Sequence, residues 1–134
     1  MSWRQWLFAK LNGTLSLTAI VPADRVMAAG ALTGSPPVRP FVLYRMGGDT
    51  TRMQDADVPL LADNVVQVWV YDDPGSYARI EQYLDEMRKR LPGQVIGVPN
   101  AHACVWGGTS GELADDEFKC AVKFANLKLV GGLQ

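Results

Sequence analysis

The chain has 134 residues, 48% of them hydrophobic and 20% charged, with a formal net charge of -1. That length suits one domain able to bury a real core, spanning 1–134, and the composition is ordinary for a globular protein. The near-neutral balance excludes a nucleic-acid binder that works through a strongly basic surface, and no stretch approaches the ~18 apolar residues of a membrane span.

The opening MSWRQWLFAKLNG lacks the long apolar core of a signal peptide, so the chain is expected to be cytosolic where it is made. Ser2 is placed to cap a helix from Trp3 to Asn12 that Gly13 ends. Trp3, Leu7 and Leu11 line one face of it, with Trp6 beside them. Covering a sheet explains the two tryptophans more simply than an exposed docking surface does. Leu15 to Val21 is apolar without a clear period, Pro22-Ala23-Asp24 reads as a turn, and Arg25 to Met27 as a brief strand. From Ala28 to Pro40, glycines 30 and 34 and prolines 36, 37 and 40 predict an exposed connector.

Phe41 to Met46 alternates as a strand. The seventeen residues Gly47 to Asp63 are longer than an ordinary hairpin loop and predict a long hairpin with a mobile tip. A second strand follows, with Val66, Val68 and Val70 on one face and Val65, Gln67, Trp69 and Tyr71 on the other. Asp73 and Pro74 then suit the N-cap and first position of a helix. Tyr77, Ile80, Leu84, Met87 and Leu91 form one apolar stripe, opposite the acid-before-base pairs Asp85/Lys89 and Glu86/Arg90. Pro92-Gly93 ends the helix.

Ala101 to Trp106 is the next strand, and glycines 107, 108 and 111 read as a turn. Glu117 to Val130 is the last and longest strand. Its apolar positions pass from even (Phe118, Cys120, Val122, Phe124) to odd (Leu127, Leu129), which predicts a bulge or strong twist near Ala125-Asn126. A turn centred on Gly111 and Glu112 would set Cys104 opposite Cys120, as two reduced thiols. Strands in hairpin pairs rather than alternating with helices predict an α+β fold. Its mainly antiparallel, twisted sheet carries an N-terminal helix and a central amphipathic helix.

No catalytic constellation stands out. His102 is the only histidine, and with Cys104 and Cys120 it makes at most a weak zinc set without close CxxC pairing. His102 and Cys104, two apart on a strand, are too distant for a direct hydrogen bond between thiol and base. Asp55 and Asp57, and the run Asp115-Asp116-Glu117, could ligate a divalent cation but lack EF-hand spacing. The glycines at 107, 108 and 111 lack the Lys-Ser/Thr of a phosphate loop. Arg88, Lys89 and Arg90 complement a helix C-terminus without any ligand.

Four features together resemble the tail terminator, or tail-completion, proteins of long-tailed phages. They are the N-terminal helix ending in Asn12-Gly13, PFVLYRM at 40–46, VVQVWVYDDPGSYARIEQYLDEMRKRL at 65–91, and EFKCAVKFANLKL at 117–129. Ala78, Ile80 and Leu84 stand where that family has its helix pattern, whereas residues 28–37 and 47–63 have no counterpart in it. The resemblance implies a homohexameric ring, without catalytic activity or cofactor, at the head-proximal end of the tail and assembled in the host cytoplasm. Such a ring stops growth of the tail tube protein and offers a surface to the head connector or stopper protein. Genome DNA passes through its lumen without specific binding, and no membrane is involved. Asp49, Arg52, Asp55 and Asp57 would then belong to an interface or lumen loop, where acidic side chains repel phosphate. The rival readings are a head–tail connector or stopper and, in another class, a small α+β enzyme or ligand-binding domain with a polar pocket.

Overall fold

The computed structural model describes residues 2–31, 38–49, 64–98 and 101–130. Helices α1 (Trp3–Gly13) and α2 (Leu15–Thr18) come first. Strand β1 (Val26–Ala28) follows, then β2 (Phe41–Asp49), β3 (Asn64–Asp72), α3 (Ala78–Arg90), β4 (Gly93–Gln94), β5 (Ala103–Thr109), β6 (Leu113–Asp115) and β7 (Cys120–Val130). The strands form a seven-stranded sheet in the order β1-β2-β3-β7-β5-β4, with β6 also on β7. All pairings are antiparallel except β1 on β2. This is the α+β fold that the hairpin-paired strands imply.

All three helices cover one face of the sheet. Trp6, Leu7 and Leu11 of α1, Leu17 of α2, and Ile80, Tyr83, Leu84 and Met87 of α3 pack with Val66, Val68, Val70, Ala125, Leu127 and Leu129. The valine face of β3 and the stripe on α3 are therefore core. Trp6 is buried and Trp3 packs against the same cluster, so both rings cover the sheet. Ser2 closes a capping box: its hydroxyl accepts the Gln5 N–H while the Gln5 side chain accepts the Ser2 N–H. The opposite face holds a smaller cluster of Phe41, Leu43, Tyr71, Cys120 and Val122, with Trp69 and Phe118 against it.

Three local expectations are corrected. The helix begins at Ala78, not at Pro74. Asp73 to Ser76 is a turn closed by the Ser76 N–H on the Asp73 carbonyl at 2.9 Å, with Gly75 at φ 76. Proline second and a positive-φ glycine third is type II turn chemistry, and it outweighs the capping reading of the same residues.

The last hairpin reverses at 116–119, not at Gly111-Glu112. β5 and β6 lie end to end along one side of β7. Ser110 stays attached to β7, its N–H donating to the Phe124 carbonyl at 2.8 Å and its hydroxyl accepting the Phe124 N–H at 3.0 Å. The reversal instead uses the acidic run, where Asp115 Oδ1 accepts the Phe118 N–H at 2.8 Å and Lys119 takes φ 57. Cys104 therefore pairs with Leu129, and Cys120 with Asp115. The two cysteines belong to the two different clusters, on opposite sheet faces, and the expected pairing fails.

The register break near Asn126 lies in the neighbouring strand. β7 pairs with β3 without interruption, while β5 shifts register between Trp106 and Thr109. Glycines 107 and 108 thus form a bulge within β5 rather than a turn. The apolar positions of β7 change parity because different ends of its two faces are covered. Cys120 and Val122 sit in the small cluster, and Ala125, Leu127 and Leu129 under the helices.

Candidate functional site

The most organised surface is the helix-free face of the adjacent strands β2, β3 and β7. Cross-strand neighbours on it are Leu43, Trp69 and Phe124 on one row and Arg45, Gln67 and Asn126 on the next. The Trp69 and Phe124 rings stack at 4.4 Å and 25°, and the Arg45 guanidinium lies 4.2 Å from the Trp69 centroid. Trp69 Nε1 donates to Gln67 Oε1 at 3.1 Å, and Gln67 Nε2 donates to Asn126 Oδ1 at 3.2 Å. These groups satisfy one another, so they hold fixed rotamers and present a rigid aromatic and polar platform. Arg45 is its exposed cation.

The far end of the same face is closed by aromatic packing. Phe41 and Tyr71 stack at 4.6 Å, and Phe118 meets both edge-on. Burial, reinforced by the nearby Asp115 charge, pushes the Tyr71 hydroxyl up to about 12. Arg39 ties this end together: it donates to the Phe118 carbonyl at 2.9 Å and to Asp73 Oδ1 at 3.4 Å. Asp72, fully buried at the end of β3, accepts two hydrogen bonds from Arg79 and one from the Asp73 N–H. Strand, turn and helix are thereby locked in one geometry.

Of the loop residues singled out in the sequence, Asp49 ends β2 opposite Asn64. Arg52, Asp55 and Asp57 lie outside the described residues, as does the side chain of Asp49. The β2–β3 ladder does run past Met46 to Asp49, through a register shift between Met46 and Gly48. The helix-free platform went unread because Gln67, Trp69, Phe124 and Asn126 sit on different strands. Only the register joins them, although the alternation of β3 had already placed Gln67 and Trp69 on one face.

The potential chemical groups are separated. Cys104 and Cys120 face opposite sides of the sheet, so they cannot join His102 in one ligand set. Burial pushes the Cys104 thiol up to about 11 and raises that of Cys120 as well, making both poor nucleophiles at neutral pH. Among the described residues no three His, Cys, Asp or Glu side chains converge as a metal set. A cleft between α3 and the β5–β7 edge is lined by Glu81, Leu84, Asp85, Arg88, Trp106 and Lys123. Its charges already pair, Lys123 with Glu81 at 3.6 Å and Arg88 with Asp85 at 2.8 Å.

The fold is that of an α+β protein with one sheet face covered by helices and the other free of them. No protein-family model matches the chain, and no curated protein matches it. Among solved structures, the chain is similar to a chain of the virion of the native gene transfer agent (GTA) particle. The TM-score is 0.71 at 14% sequence identity, over 98% of this chain and 96% of that one. At that identity the likeness is one of fold, and it extends over nearly the full length of both chains.

Proposed function

We propose that this chain is a structural protein of a phage-like virion, acting without turnover, and that it is the tail terminator. The observation that carries the reading is the end-to-end fold likeness to a chain of the gene transfer agent virion. The sequence resemblance to tail terminators points the same way from different evidence. In this reading 1–134 is one tail-terminator-like domain, assembled in the host cytoplasm and placed at the head-proximal end of the tail. Copies of it, six in the family pattern, close a ring on the tip of the tail tube. The ring ends tube polymerisation, offers its far surface to the head connector or stopper protein, and lets DNA pass without gripping it. The loop carrying Asp49, Arg52, Asp55 and Asp57 is assigned to the interface or lumen. A ring subunit needs two different complementary surfaces on a rigid body, because only heterologous contacts close in this way. The locked sheet, turn and helix supply such a body.

The test is tube growth. Added to polymerising tail tube protein, the chain should shorten tubes in proportion to its concentration, and rings should be visible on the tube tips by electron microscopy. Unchanged tube lengths at stoichiometric excess would count against the terminator role. Binding to connector but not to tube would favour the connector or stopper reading.

A further inference from the structure

The two borders of the central four strands match. On the β2 side, β1 pairs only as far as Tyr44, and the short 3-10 turn Ala29–Ala31 follows it. Among the described residues no strand pairs with the outer side of Arg45 to Asp49. On the other side, β4 pairs only with Ala103 and Cys104. Among the described residues the outer side of Val105 to Thr109 has no strand partner either.

Register brings these stretches to the same level. One row of the sheet runs Tyr44, Val68, Ala125, Thr109, and another runs Asp49, Asn64, Leu129, Cys104. Arg45–Asp49 and Val105–Thr109 therefore share the rows of Arg45, Met46 and Gly48 at opposite borders, each stretch running one row further at one end. The order β2-β3-β7-β5 is antiparallel at every step, so β2 and β5 run in opposite directions. Set beside the β5 of one copy, the β2 of the next would continue the antiparallel alternation.

Apart from the bulge at Gly107-Gly108, the β5 border lacks the devices that keep sheet edges apart. Its sequence Val105-Trp106-Gly107-Gly108-Thr109 holds no charge and no proline, and Val105 is 47% exposed. Unpaired backbone N–H and C=O groups on such an edge call for another strand. Because the stretches overlap in three rows, pairing those rows needs no slip along the strands. A heterologous contact without rise closes into a ring rather than growing into a filament.

We infer that the subunit contact is edge-to-edge strand pairing, with Val105–Thr109 of one copy antiparallel to Arg45–Asp49 of the next. This rests on the ring reading above and names the surfaces that make the ring. The contact covers Val105 and places the Arg45–Trp69–Phe124 platform on one continuous face shared by all subunits.

Gly48→Cys and Val105→Cys test it in the full chain assembled on tube tips. Gly48 and Val105 stand in one row, Gly48, Val65, Lys128, Val105, so level pairing sets the two introduced side chains opposite each other on one sheet face. Under mild oxidation the double variant should give a ladder of covalent oligomers in denaturing gels, ending at the ring size. Each single variant should stay monomeric, as should Gly48→Cys combined with Lys89→Cys on the outer side of α3. Rings seen by electron microscopy with no ladder from the Gly48/Val105 pair would overturn the edge contact and leave the ring reading standing. Absence of rings at any concentration would overturn the ring reading itself, and the edge contact with it.

Discussion

Arg79 grips the buried carboxylate of Asp72 with both ends of its guanidinium, Nε at 2.8 Å from Oδ2 and Nη2 at 2.6 Å from Oδ1. Asp72 is the only buried charged residue among those described, while the Arg79 side chain is half exposed. The pair joins the last residue of β3 to the first turn of α3 across the Asp73–Ser76 turn. Arg79→Ala would leave the carboxylate buried with only the Asp73 N–H as partner. Since the site opens to water on the Arg79 side, the expected loss is ~1–3 kcal/mol, below that of a fully buried pair. Arg79→Lys should recover only part of it, because an ammonium cannot make the forked contact. Urea denaturation of the three proteins measures this, and equal midpoints would show that the pair carries no net stability.

The α3 stripe offers a contrast between two adjacent positions. Leu84 is 3% exposed within the main core, and Leu84→Ala should cost ~2–5 kcal/mol. Tyr83 beside it is fully buried, and its hydroxyl has no hydrogen-bond partner among the described residues. Tyr83→Phe removes an unsatisfied polar group at constant shape. It should be neutral or stabilise by up to ~1 kcal/mol. A loss of more than ~1 kcal/mol on Tyr83→Phe would reveal a partner for that hydroxyl.

How far such features could be read in advance depended on whether their cause was local. Alternation in 65–71, the three-four spacing of the α3 stripe and the Ser2 cap are local patterns, and each formed where its spacing put it. Tyr83 escaped the stripe because a tyrosine beside a clear apolar row looks like a boundary residue, and only packing into the main core cluster buries it. The Asp73–Pro74 start and the Gly111 turn failed because two local signals competed. In each case the glycine geometry or the acidic turn decided the outcome. The platform around Trp69 and the overlapping borders of β2 and β5 depend on strand register, which the chain encodes only through distant pairings.

The bulge in β5 should be intolerant of side chains. A methyl group at Gly107 would stand 3.0 Å from the Asn126 carbonyl oxygen and 3.1 Å from Asn126 Cβ, both on the strand it pairs with. Gly108, at φ 94, has open space but a conformation other residues resist. Gly107→Ala should cost ~1–3 kcal/mol through displacement of β5 from β7, and Gly108→Ala about 1 kcal/mol through backbone strain. Hydrogen exchange separates them: Gly107→Ala should expose amides of both strands, whereas Gly108→Ala should act mainly on β5. Loss of protection confined to α3 in either variant would contradict the assignment.

Alkaline conditions should weaken the fold through Cys104. Its thiol is buried beneath the helices, and burial pushes its pKa from 9.0 up to about 11, with Lys10 opposing the shift weakly. The native state therefore holds this proton more tightly than the unfolded chain does. Its contribution to stability is complete below pH 9 and drains away as pH rises toward about 11. Tyr71, raised to about 12 chiefly by burial, adds the same trend above pH 10. Denaturation midpoints measured from pH 8 to 11 should fall across this window. Cys104→Val, which keeps an apolar side chain of similar size without the thiol, should fall less steeply below pH 10. If both proteins decline in parallel there, deprotonation of Cys104 is not what weakens the native state.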